Sequence, residues 1–431
     1  MSAEDLFAEV ARAHPRCVWL DGGGAREWSG SRSLIGWLED DDVSLTYSAA
    51  RREVLRHVDG RSEVVGDDIW QVLEREVGAG EQWFGYLGYA CRADLPAAPS
   101  RDVPDAVWMR PSHIRLFEHD PVGLDTPPPS GSGGSTDGGS AGRAARPPAA
   151  ERVETNTVSA AYAQAFAQIQ EALRAGDTYE ANLTYRTAVH TAADPVETYL
   201  RLRSINPAPY AGFLQHDVAG HATWLLSSSP ERYALIDADR TIETRPIKGT
   251  TPRGATDQED AANAEHLRTD PKLRSENLMI TDLLRNDLAM VCEPGTVDVP
   301  GLMRVESYPS VHQLVSTVRG RLRDEITTIE ALRRLFPAGS MTGAPKLRTM
   351  EIIERAEQEL GGPRAAYAGA FGWISGDGPA DLGVVIRTLT THDTRTWQIG
   401  TGGGITVRSD VAEEAAEARL KADRVRASLD R

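Results

Sequence analysis

Residues 126–150, TPPPSGSGGSTDGGSAGRAARPPAA, are almost wholly proline, glycine, serine and alanine. Such a stretch buries too little apolar surface to offset the entropy lost on ordering it. It cannot be core. It therefore divides the chain into an N-terminal region, residues 1–125, and a larger region, residues 151–431, joined by a flexible linker or surface insertion. A length of 431 residues fits two or three domains.

With 40% apolar and 26% charged residues, both regions have material for a core. The formal net charge of −16 argues against a nucleic-acid partner, which would want a basic face. A local cluster such as Arg245, Lys248 and Arg253 can still receive a small anion. The three cysteines, Cys17, Cys91 and Cys292, are far apart, and neither a disulfide framework nor a CxxC metal pair can be built from them. That usage suits a reducing cytoplasm. The first residues, MSAEDLFAEVARAHPRC, carry early acids and no long apolar run, unlike a secretory signal. No stretch approaches the ~18 apolar residues of a membrane span.

The periodicities alternate between helix and strand. SLTYSA and WFGYLGYA read as strands. VSAAYAQAFAQIQEALRAGD reads as an amphipathic helix capped by Ser159 and stopped by Gly176. TWLLSSSPERYALIDADRTIETRPIKGT reads as two or three strands with a DADR turn. DPKLRSENLMITDLLRNDLAMVC has helical periodicity. APKLRTMEIIERAEQELGG gives a second helix, with Leu347, Met350, Ile353, Ala356 and Leu360 as its stripe and Gly361 as its end. YAGAFGWISG, ADLGVVIRTLTTHD and TWQIGTGGGITVRSD read as a three-stranded meander, followed by a terminal helix, AEEAAEARLKADRVRASL.

Several residues invite chemical readings beside plainer ones. Glu414, Glu417 and Lys421 share one helix face, either as a solvated charge ladder or as part of a Mg²⁺ site completed by Glu276. GTGGGI, residues 400–405, is either a tight turn or a cradle of backbone N–H groups for an anion. It is not a dinucleotide fingerprint, and GSMTGAPK is not a phosphate-binding P-loop. Arg387 in the apolar run VVIRTL is either a structural ion pair or a clamp on a carboxylate. His312, Glu231 and Tyr367 are by themselves ordinary core or surface residues. The decapeptide RPIKGTTPRG sets Lys248 in a stiff, cationic frame, which suits an amine that reacts in its neutral form.

Taken together, SPERY, RPIKGTTPRG, ENLMITDLLRNDL, SVHQLVSTVRGRL, FPAGSMTGAPKLRTMEIIE, YAGAFGWIS, VVIRTL, GTGGGI and EEAAEARLK resemble the chorismate-utilising enzyme family, in the family's order, over roughly residues 155–425. GYLGY gives residues 1–125 a weaker likeness to the family's N-terminal region. Glu180, in GDTYEANLT, stands where relatives usually carry Gln. The fold the resemblance implies is α+β, anthranilate-synthase-like, with packed and largely antiparallel β-sheets and outer helices. Within the family, Lys248 marks the aminodeoxychorismate branch, since the others typically have Ala there.

That likeness implies replacement of the C4 hydroxyl of chorismate by an amino group through a covalent lysine relay, leading towards 4-aminobenzoate and folate. Lys248 is the implied nucleophile, its pKa expected to be lowered by burial and by Arg245, Mg²⁺ or Lys346. Glu231 is the implied general acid, with His312 near the same end of the ring. Mg²⁺ held by Glu276 and Glu417, backed by Glu414, is expected to grip the ring carboxylate with Gly402, Gly403 and Lys421. Tyr367 and Arg387 are expected to hold the enolpyruvyl carboxylate, and Thr342 is placed among the substrate-binding residues. No cysteine sits in a glutaminase nucleophile turn, so ammonia is expected from a separate glutamine amidotransferase subunit. An anthranilate synthase large chain and an idle chorismate-binding scaffold stay open as alternatives.

Overall fold

The computed structural model describes residues 1–22, 32–119, 158–308 and 311–430. The expected linker, residues 126–150, lies outside them. Among the described residues the strands form a nine-stranded and a twelve-stranded sheet, paired antiparallel, with helices packed outside. This is the expected α+β architecture. No helix among the described residues is long and apolar enough to cross a membrane.

Strand Arg16–Asp21 shows why the sheets stack. Alternate side chains of a strand point to opposite faces. Cys17 and Trp19 therefore join a core with Phe7, Tyr199 and Phe213, while Val18 and Leu20 join another with Phe84, Tyr86, Val107 and Met109. The second core draws on both sheets and lies between them. Strands from residues 16–118 are hydrogen-bonded into both sheets alongside strands from residues 180–405.

The helix Ala160–Ala175 starts and stops as its caps predict: Ser159 accepts from the Tyr162 N–H, and Gly176 ends it with φ 79°. Three elements depart from expectation. The helix beginning at Lys346 ends at Ala356, Leu347 is exposed, and the next residue, Glu357, turns inward to pair with Arg186 and Arg364. The meander is broken: Ala370–Ser375 and Ala380–Val384 belong to the larger sheet, Thr388–Thr391 and Thr396–Ile405 to the smaller. The chain changes sheets at residues 385–387, where Arg387 adopts φ 51°. The glycine-rich run 400–404 does not make a turn either. It lies within strand Thr396–Ile405, paired in register with residues 182–186 of strand Glu180–His190.

Candidate active site

A cavity of about 510 Å³ opens where strands Ile247–Pro252 and Thr396–Ile405 meet helices Pro271–Ala289 and Val411–Arg426. Of the residues singled out in the sequence, Lys248, Glu231, Tyr367, Arg387, Gly402, Gly403, Lys421, Glu276, Glu414 and Glu417 line it. They come from segments up to almost 200 residues apart, brought together by the sheet order.

Lys248 enters through an irregularity. The pairing of Ile247–Pro252 with Val311–Arg321 slips between Ile247 and Thr250. Such a bulge re-aims a side chain. Gly249 has φ 92°, a conformation that a side chain would strain, and an added Cβ would stand 3.0 Å from Leu273. The half-buried Lys248 ammonium donates to Glu180, which is 1% exposed. Gly404 makes room for the pair, because a Cβ there would lie 2.8 Å from Lys248 Nζ.

Two of the cations expected beside Lys248 are placed elsewhere. Arg245 is paired with Glu306, and Lys346 lies 2.7 Å from Asp287 and donates to the Leu335 carbonyl. Neither lines the cavity. Burial disfavours the Lys248 ammonium, but Glu180, Glu276 and Glu231 outweigh it and hold the amine well above its ordinary pKa.

Glu231 follows Pro230 at the mouth of strand Arg232–Ile236. Burial pushes its carboxyl up to about 7, against the opposing pull of a hydrogen bond from Ser340 and the charges of Lys248 and Lys421. It can therefore carry a proton near neutral pH. Glu276, on helix Pro271–Ala289, is also pushed up to about 7, by burial first, with Lys248 opposing and Glu180 assisting. Its carboxylate makes no hydrogen bond or ion pair among the described residues. Glu414 meets Lys272 at 3.2 Å, and Glu417 meets Lys421 at 2.7 Å. Lys421 holds Glu417 below the usual carboxylate range. Among the described residues no three His, Cys, Asp or Glu side chains are drawn together as a metal-ligand set. What the wall offers is hard oxygen donors, two of them engaged by lysines.

Arg387 faces the cavity from the crossover between sheets, and its guanidinium has no hydrogen bond or ion pair among the described residues. Burial lowers its pKa, as does the neighbouring Arg424. The Arg387 guanidinium, with the exposed Arg424 at the same cavity, can receive a carboxylate. Tyr367 lies beside them, its ring against Gly400 where a Cβ would overlap it. Burial raises its hydroxyl pKa.

Two expected site residues are not brought in. His312 is turned to the other face of its strand, where Nε2 lies 3.0 Å from Asp260 and Nδ1 2.7 Å from Ser307. The period of two sends Val311 and Gln313 into the cavity instead. Thr342 is fully buried, its hydroxyl donating to the Gly339 carbonyl at 3.1 Å, and its own carbonyl accepts from the Asn182 N–H. It supports the cavity from behind. Sequence reasoning missed Gln313, Ser340, Asn182, Lys272 and Arg424 as lining residues. Lys272 stands four residues before Glu276, and Arg424 three after Lys421, so helical spacing could have found both.

The family described as chorismate binding enzyme matches residues 15–427. The chain is 40% identical to "Aminodeoxychorismate synthase" of Streptomyces griseus over 97% of its own length and 62% of that protein's. It is 40% identical to "Aminodeoxychorismate synthase component 1" of Escherichia coli (strain K12), over 64% of this chain and 59% of that one. It thus spans about three fifths of the length of these relatives. Among solved structures, anthranilate synthase component I from Streptococcus pneumoniae TIGR4 superposes with a TM-score of 0.70 at 23% identity, covering 92% of each chain, and so shares the fold.

Proposed function

This chain belongs to the family of chorismate binding enzymes, and from that premise we propose that it converts chorismate and ammonia to 4-amino-4-deoxychorismate. The observation that carries the reading is the amine of Lys248, re-aimed by a bulge into a cavity that Glu231, Arg387 and Arg424 also line. A neutral Lys248 attacks C2 of the ring. The ring double bonds shift and the C4 hydroxyl departs as water, with Glu231 supplying the proton. Ammonia then attacks C4, the double bonds shift back, and the lysine amine is expelled. One difficult substitution becomes two easier ones, and the proton from Glu231 contributes a factor of about 10²–10⁴.

Arg387 and Arg424, with Tyr367 beside them, would take the enolpyruvyl carboxylate. Glu276, Glu414 and Glu417 supply the hard oxygen donors that Mg²⁺ prefers. When bound there, the ion would neutralise the ring carboxylate and withdraw electron density from the ring. Lys272 and Lys421 now hold the charge of Glu414 and Glu417. Gly402 and Gly403 border the same wall.

Ammonia would come from a separate glutamine amidotransferase subunit. The printed name "component 1" of the Escherichia coli relative supports this. So does the burial of Cys17, Cys91 and Cys292, which raises all three thiols and leaves none suited to glutaminase chemistry. A cytoplasmic setting and a lyase that makes 4-aminobenzoate from the product complete the reading. The test is product identification from chorismate, Mg²⁺ and ammonium, with and without such a lyase. Nitrogen at C4 and lyase-dependent 4-aminobenzoate are expected. Anthranilate formed without a lyase would overturn the proposal.

A further inference from the structure

Lys248 must attack as a neutral amine, yet at rest its ammonium donates a hydrogen bond to Glu180. The proton therefore has to be removed inside the complex. We propose that Glu180 is the catalytic residue that accepts it, taking the proton from Lys248 Nζ before attack and returning it after turnover. This rests on the covalent reading above.

Three observations support it. Glu180 is the acid that already receives the Lys248 N–H, so transfer would run along an existing hydrogen bond. Its second carboxylate oxygen, Oε2, is buried without a hydrogen-bond partner among the described residues. That leaves acceptor capacity which a purely structural ion pair does not need. Gly404 leaves the space in which the pair meets at the cavity wall. The other acids facing Lys248 are otherwise placed: Glu231 takes a hydrogen bond from Ser340 and serves the leaving hydroxyl, and Glu276 belongs to the carboxylate wall. A Gln at this position could hold the amine but could not take a proton from it.

The protons balance. At rest Lys248 is an ammonium and Glu180 a carboxylate. Transfer gives the free amine and the carboxylic acid. Attack at C2 forms the C–N bond, and the C4–O bond breaks with the proton of Glu231, releasing water and leaving a secondary ammonium on the ring. Ammonia forms the C4–N bond as the C2–N bond breaks, and Lys248 leaves as a neutral amine. Lys248 recovers its proton from Glu180, and the new C4 ammonium returns one to Glu231.

Two measurements on wild type, Glu180→Gln and Glu180→Asp test this. The first follows acylation of Lys248 by acetic anhydride across pH, without chorismate, by peptide mass spectrometry; the other lysines of the map report an intact fold. The second follows the Lys248–chorismate adduct by rapid-quench intact-mass spectrometry without ammonia. In Glu180→Gln, acylation of Lys248 at neutral pH is expected to rise, because the amine loses an acidic partner. Adduct formation is expected to fall by about 10²-fold or more, with Glu180→Asp in between. An adduct rate in Glu180→Gln equal to or above that of wild type overturns the proposal and makes Glu180 a counter-ion only. If wild type forms no adduct at all, the covalent reading itself falls and this inference falls with it.

Discussion

Glu231→Gln separates the proton-donor role from simple packing by a stability measurement. The carboxyl is buried and its pKa rises from the ordinary 4.5 to about 7. At 1.36 kcal/mol per pH unit, that rise amounts to about 3 kcal/mol. The sign follows from linkage: the native state binds more protons than the unfolded chain between pH 4.5 and 7, so stability falls as pH rises through that window. Below it the carboxyl is protonated in both states and costs nothing; above it the full penalty of a buried carboxylate is present. Gln keeps the shape and cannot ionise. Denaturant titrations in metal-free buffer, at several values from pH 4.5 to pH 8, should show the variant gaining on wild type by about 3 kcal/mol across the series. The same variant should lose amination by a factor of about 10²–10⁴. A stability difference that is flat across pH would show that Glu231 is ionised throughout, and would refute its use as the proton donor at neutral pH.

Arg387→Ala should raise the KM for chorismate roughly 10- to 150-fold, the loss of a charge-assisted hydrogen bond worth about 1.5–3 kcal/mol; steady-state kinetics with an unchanged KM would remove the carboxylate clamp. His312→Ala should lower stability by about 1–3 kcal/mol through its lost bonds to Ser307 and Asp260, while the KM for chorismate holds. Gln313→Ala should do the reverse, moving kcat/KM and leaving the unfolding midpoint nearly in place. Titration calorimetry with Mg²⁺ should show binding that Glu276→Gln abolishes and that Lys272→Met tightens, since Lys272 competes for Glu414; EDTA-treated protein that keeps full activity would contradict the metal assignment.

The fold was legible where local chemistry decides it. Ser159 and Gly176 bound their helix as capping rules require, and the alternating strands could be read from their periods. It was less legible where tertiary contacts override local pattern. Glu357 stops a helix early because Arg186 and Arg364 wait for it. The glycine-rich run 400–404 looks like a turn, yet it lies in a strand where Gly400 admits Tyr367 and Gly404 admits the Glu180–Lys248 pair. Much of the site could be found from residue type. Its electrostatics could not, because the acids that surround Lys248 lie 17, 28 and 68 residues from it in sequence. His312 was assigned where the next residue faces the cavity, a choice that strand register alone decides.

Intact-mass spectrometry of the protein mixed with chorismate and Mg²⁺, without ammonia, tests the lysine relay most directly. Wild type should gain the mass of one chorismate less one water, mapped to Lys248 and discharged by added ammonium. Lys248→Ala should gain nothing and should not aminate chorismate. Amination at the wild-type rate by Lys248→Ala would contradict the account.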